Sequence, residues 1–120
     1  MDDSLNPMLV VFAGEYDVMN KPSLRKLLDR IAEIPDLVLD FREVTFIDST
    51  CVTELLRMHT LRITNSLPRE TIVMGKTPIR RLFEVLDLYR VFHVLEDFGD
   101  IPETPRRRLE YKFQVPSNLK

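Results

Sequence analysis

LVLDFREVTFIDST, residues Leu37 to Thr50, is the stretch on which the fold turns. Leu37-Val38-Leu39 is a short continuous apolar run, the pattern of a buried strand. Val44 to Ile47 forms a second extended piece that leads up to Asp48. Ser49, Thr50 and Cys51 follow, small side chains able to hydrogen-bond, and then an amphipathic pattern begins. Val52, Leu55, Leu56, His59 and Ile63 fall at helical spacing and define one face. The chain therefore passes from strand to helix at Asp48.

The same alternation extends in both directions. Upstream, Leu9 to Ala13 reads as a buried strand ended by Gly14, and Asn20-Lys21-Pro22 starts a helix. Proline suits a first helical turn, where its missing amide hydrogen leaves nothing unpaired. Leu24, Leu27, Leu28 and Ile31 give that helix its apolar face, and Pro35 stops it. Downstream, Asn65 to Pro68 is a loop and Thr71 to Met74 a third strand. Thr77-Pro78 caps a third helix with Ile79, Leu82, Phe83 and Leu86 on its face, and Val91 to Leu95 is a last strand. Met8, Met19, Met58 and Met74 read as core filling.

Strands that are apolar throughout, alternating with helices, imply parallel strands covered by helices. The expected fold class is α/β, with a mainly parallel four- or five-stranded sheet, helices packed on it and right-handed crossovers. Residues 1–100 form the expected domain and 101–120 a C-terminal tail, introduced by the linker-like Ile101 to Pro105. In the tail, Tyr111, Phe113 and Val115 alternate with polar residues and predict one strand.

With 120 residues, 44% hydrophobic and 30% charged, the chain fits one soluble globular domain with a single core. No run approaches a membrane span, and MDDSLNP lacks the basic and apolar regions of a secretory signal. One cysteine makes no internal disulfide, so a cytoplasmic location is expected. A net charge of −2 argues against nucleic-acid binding. The basic run Arg106-Arg107-Arg108 is diluted by Glu103 and Glu110 and reads as a solvated tail.

Asp48-Ser49-Thr50 has two readings. Asp, Ser and Thr favour helix starts because their oxygens accept orphan amide hydrogens, so capping alone accounts for them. A helix N-terminus also tolerates an anion. A serine displayed there can carry a phosphate, which would add about −1.5 to −2 charges beside Asp48. Other motifs fail. Cys51 and Arg57 have the spacing of a tyrosine-phosphatase phosphate loop, but Val52, Leu55 and Leu56 continue a helical face, and Glu54 opposes an anion. Gly75-Lys76-Thr77 resembles the end of a Walker A loop, yet Glu70 stands where its earlier glycine belongs. A response-regulator receiver needs an adjacent acidic pair after its first strand, and Glu15 and Asp17 are not adjacent. His59 reads as a hydrogen-bonded core histidine, and His93 has no partner at metal-ligand spacing. Arg80-Arg81 opens the third helix against its dipole and reads as solvated.

Three blocks together resemble a known family. GEYD, Gly14 to Asp17, resembles the Gly-Glu-apolar-Asp signature of STAS domains. LVLDFREVTFIDST resembles their strand-loop-Asp-Ser-Ser/Thr-Gly signature, and KTPIRRLFEVLDLYRVFHV, Lys76 to Val94, is similar to their third helix and last strand. Within the family the likeness is to bacterial anti-sigma-factor antagonists. The resemblance implies a phosphoprotein in transcription regulation that works by partner switching. Ser49 would take a phosphate from an anti-sigma-factor serine kinase, and a serine phosphatase would remove it. Asp48 would position Ser49, and Thr50, Cys51 and Asp17 would complete the partner-binding rim. It implies no catalysis by this chain, no metal and no cofactor, ATP belonging to the kinase. It also implies no membrane insertion, and it leaves the oligomeric state open. The family equally supports an unphosphorylated scaffold in a signalling assembly or a lipid- or anion-transport complex.

This chain departs from the family pattern twice. Cys51 stands where a glycine is usual, which predicts a narrower approach for a partner. The usual strand before GEYD is missing, which predicts an unpaired sheet edge that the tail strand Tyr111 to Val115 would cover.

Overall fold

Strands and helices alternate along the chain as the apolar pattern requires. The structure is a computed structural model that describes residues 8–97, 99 and 107–113. The elements are β1 (Met8–Tyr16), α1 (Lys21–Ile31), β2 (Leu37–Ile47), α2 (Ser49–Thr64), β3 (Thr71–Val73), α3 (Arg80–Val85), a 3-10 turn at Leu88–Arg90, β4 (His93–Leu95) and β5 (Arg107–Phe113). They build one sheet of order β4-β3-β2-β1-β5, parallel at every pairing. The tail strand does cover the outer edge of β1, pairing Met8 with Arg107 through to Gly14 with Phe113. It starts four residues earlier than the alternation of Tyr111, Phe113 and Val115 predicts. Val115, the linker-like stretch Ile101 to Pro105 and the opening MDDSLNP lie outside the described residues.

One core sits between the sheet and the helices. Val10, Phe12, Leu39, Phe41 and Ile72 of the strands meet Leu24, Leu28, Leu55, Met58 and Phe83 of the helices. Phe12 and Phe41 pack edge to face with centroids 4.9 Å apart, a favoured aromatic geometry. Leu9, Val11, Val38 and Val73 form a separate buried cluster. Strand residues of opposite parity point to opposite faces, so this cluster belongs to the other side of the sheet.

Several expectations need correction. Gly14 does not end β1; at φ 89° it lies within the strand, which continues to Tyr16. The two extended pieces before Asp48 are one strand of 11 residues. Val91 and Phe92 precede β4. Thr77-Pro78 does not cap α3. That helix starts at Arg80, and the Thr77 hydroxyl donates instead to the Val44 carbonyl, pinning the β3–α3 loop to β2. Leu86 is exposed rather than part of the α3 core face, and Met19, 75% exposed, fills no core.

The buried face of α2 is also turned from the expected one. Cys51, Val52, Glu54, Leu55, Met58 and Arg62 are buried, while Ile63 is 50% exposed. Two charged residues cause the rotation. The Arg62 guanidinium donates to the carbonyls of Ala32, Ile34, Pro35 and Pro68, closing the end of α1 and the loop after α2. Its Nε lies 3.2 Å from Glu70 Oε2, and Glu70 Oε1 lies 2.6 Å from His59 Nδ1. Burial lowers the Arg62 pKa from its ordinary value, although Glu70 opposes the shift. Glu54 is tolerated inside because Arg57 (3.0 Å), Arg25 (3.8 Å) and Lys21 (3.9 Å) surround it.

Candidate functional site: the mouth of the second helix

β2 delivers the chain to the site, and its irregular register decides what is displayed there. Val11 pairs with Asp40 but Glu15 pairs with Phe46, so β2 carries two extra residues over that span. Each extra residue breaks the in-out alternation of a strand and re-aims its neighbours. Arg42 and Glu43 are accordingly exposed as a pair, and so are Thr45 and Phe46. The second irregularity leaves Phe46 47% exposed, only three residues before Ser49.

Asp48 then closes the strand and opens the helix. Its amide donates to the Tyr16 carbonyl at 3.0 Å, the last tie to β1. Its backbone is extended (φ −91°, ψ 171°), and Oδ1 accepts from the Cys51 amide at 3.0 Å and the Thr50 hydroxyl at 2.7 Å. Burial pushes the Asp48 carboxyl upward, but the hydrogen bonds from Thr50 and Cys51 outweigh it and hold the pKa below the ordinary value. The aspartate is therefore a fixed anion at the N-cap of α2.

The side-chain cap of α2 is supplied by Asp48 and not by Ser49. Its side chain is exposed, and among the described residues no hydrogen bond holds its hydroxyl. Its carbonyl is used inside the helix, accepting from the Thr53 hydroxyl at 3.0 Å. The backbone is thus tied down while the hydroxyl stands free.

Cys51 points the other way. It is 0% exposed, and its Sγ donates to the Asp17 carbonyl at 3.4 Å. Burial, followed by the charge of Asp48, pushes the thiol pKa up to about 12. A neutral, enclosed thiol is not a nucleophile. Because the side chain turns inward, its bulk narrows no approach to the surface.

Asp17 joins the site through its backbone. The carbonyl that receives Cys51 binds the β1–α1 turn to the start of α2, while the Asp17 carboxylate accepts from the Met19 amide within its own turn. Asn20, which the sequence marked only as a helix start, organises this turn. It is buried, accepts from the Asp17 amide at 2.7 Å and donates to the Glu15 carbonyl at 2.7 Å. The turn thereby presents Val18 and Met19 to solvent, both largely exposed. Asp17, Asp48, Thr50 and Cys51 thus meet in one bonded unit, with Ser49 exposed at its start and the exposed apolar Val18, Met19 and Phe46 on the chain segments that lead into it. These apolar residues were not legible as site residues, because an isolated apolar side chain carries no sign of exposure.

Among the described residues, no group of three or more His, Cys, Asp or Glu side chains is placed to hold a metal ion. No helix among them is long and apolar enough to cross a membrane. A family model described as the STAS domain matches residues 2–101. No curated protein matches the chain.

Proposed function

Because the chain belongs to the STAS domain family, we propose that it is an anti-sigma-factor antagonist whose partner binding is switched by phosphorylation of Ser49. The observation that carries this reading is the free, exposed Ser49 hydroxyl on a helix start already capped by Asp48. In the unmodified state the mouth of α2, with the exposed Val18 and Met19 of the β1–α1 turn bonded to it through Asp17, binds an anti-sigma-factor serine kinase in the cytoplasm and releases a sigma factor. The kinase, holding ATP, transfers a phosphoryl group to Ser49, and the complex separates. A serine phosphatase restores the binding form. This chain supplies the acceptor hydroxyl and no catalytic group of its own.

The energetics are simple. The centre of a stable interface excludes unpaired charge. A phosphoserine beside the Asp48 anion places two like charges in that centre, and every ~1.4 kcal/mol of cost weakens binding tenfold. The test is incubation with candidate anti-sigma kinases and ATP, followed by mapping of the phosphate by mass. Phosphate on Ser49, binding retained by Ser49→Ala and binding lost by Ser49→Asp are the expected results. A stable complex with no phosphate transfer would favour a scaffold subunit instead.

A further inference from the structure

Asn20 stands at the N-cap position of α1 but does not cap it. Asparagine at a helix start normally bonds forward, to an orphan amide of the first turn. Here no side-chain bond runs to the helix. The side chain turns back into the β1–α1 turn, where Oδ1 accepts from the Asp17 amide and Nδ2 donates to the Glu15 carbonyl, each at 2.7 Å. Asn20 is 1% exposed, so both bonds are made away from water. Among short side chains, only asparagine accepts at one atom and donates at another. Aspartate would offer no donor, and serine would end one atom short of both partners.

The backbone fixes the same turn. The Asn20 amide donates to the Asp17 carbonyl at 3.2 Å, which leaves Val18 and Met19 as the two central residues. The Met19 amide donates to Asp17 Oδ1 at 2.9 Å. The Asp17 carbonyl also receives Cys51 Sγ, so the turn is bonded to the first turn of α2. Val18 and Met19 are the exposed tip of this frame. Turn tips are usually Gly, Asn, Asp, Ser or Pro. Two adjacent apolar side chains held out in water by buried bonds make a preorganised contact instead, and ordering before binding removes a cost that binding would otherwise carry.

We propose that Asn20 is a positioning residue for partner binding: it holds the β1–α1 turn in the shape that presents Val18 and Met19 to the partner. The proposal rests on the partner-binding reading of the mouth of α2 and names a residue on which the affinity of that site depends. Asn20 makes no bond to Ser49, and Asp48 caps α2 independently of it. Loss of Asn20 therefore weakens the encounter with the partner and leaves phosphoryl transfer to Ser49 intact.

Two measurements on the full-length chain test it. The first needs no partner: 15N relaxation of the parent, Asn20→Ala, Asn20→Ser and, as a core change in β3, Ile72→Val. The heteronuclear NOE of the Val18 and Met19 amides is expected to match that of α1 and α2 in the parent and in Ile72→Val, and to fall in both Asn20 variants. Serine is a favoured N-cap, so it keeps the start of α1 should the alanine variant fail to fold. The second is phosphorylation by an anti-sigma kinase with ATP. In Asn20→Ser the KM for this chain is expected to rise about tenfold with kcat unchanged, as when two side chains must be ordered on binding. Ile72→Val should move neither constant. Turn amides as ordered without Asn20 as with it would overturn the proposal, and so would a loss confined to kcat. Phosphate on Ser49 with a KM indifferent to Asn20 would leave the switch standing and sink this proposal. A parent that takes no phosphate would sink the switch, while the relaxation measurement still decides whether Asn20 holds the turn.

Discussion

Asp48 accepts the backbone amide of Cys51 at 3.0 Å and thereby caps α2 without help from Ser49. This division of labour lets one residue fix the helix start while its neighbour remains available for chemistry.

If the division holds, Asp48 and Ser49 differ sharply in their effect on folding. Asp48→Ala is expected to cost about 1 kcal/mol, the usual loss of a cap. Ser49→Ala, which removes no hydrogen bond, should stay within about 0.5 kcal/mol of the parent. Urea unfolding of the two variants beside the parent protein measures both. Equal losses would mean that Ser49 has a structural task.

The cap also predicts a pH dependence. The folded pKa of Asp48 is depressed, so its stabilisation is complete above the unfolded value and fades as pH falls through the folded one. The stability difference between the parent and Asp48→Asn should therefore be constant at neutral pH. It should shrink only below about pH 4, near the ordinary carboxyl value. Urea midpoints at a series of pH values check this, and a gap that widens on acidification would contradict it.

Arg62 is expected to be the most sensitive charged position. Arg62→Ala removes one of the two partners of buried Glu70, leaving His59, and strips the donor from four backbone carbonyls, with a loss of about 3–5 kcal/mol. Adding Glu70→Leu should recover only part of this, because the carbonyls remain unpaired. Thermal denaturation of the single and double variants supplies the comparison. Full recovery would show that the carbonyl bonds contribute nothing.

Cys51 should behave as a core residue. An enclosed thiol with a pKa of about 12 is expected to react with a disulfide reagent at pH 8 only when the protein opens. Labelling should be slow in buffer and complete in denaturant. Fast labelling of the native protein would place the thiol at the surface and undo the assignment of its bond to Asp17.

Much of this was legible in the sequence, and the failures share a cause. Apolar runs at Leu37, Thr71 and Leu9 marked strands because buried parallel strands need apolar side chains on both faces. The Asp48 cap was legible because its chemistry is local. The turned face of α2 was not, since Arg62 and Glu54 are polar residues made tolerable inside by partners distant in sequence. Exposure of Phe46 depends on two irregularities in the pairing of β2 with β1, a property of two strands together. Val18 and Met19 are outside because Asn20 holds their turn, and that bonding is invisible until the turn is built.

The central claim is that the Ser49 hydroxyl controls a partner by gaining or losing a dianion. Its most direct measurement is the affinity of a cognate anti-sigma kinase for this chain before and after stoichiometric phosphorylation, with Ser49→Ala alongside. The account predicts that phosphate maps to Ser49 alone, that affinity falls by about a hundredfold or more, a cost of roughly 3 kcal/mol, and that Ser49→Ala binds like the unmodified protein. Unchanged affinity after full modification of Ser49, or phosphate found only elsewhere, would contradict it.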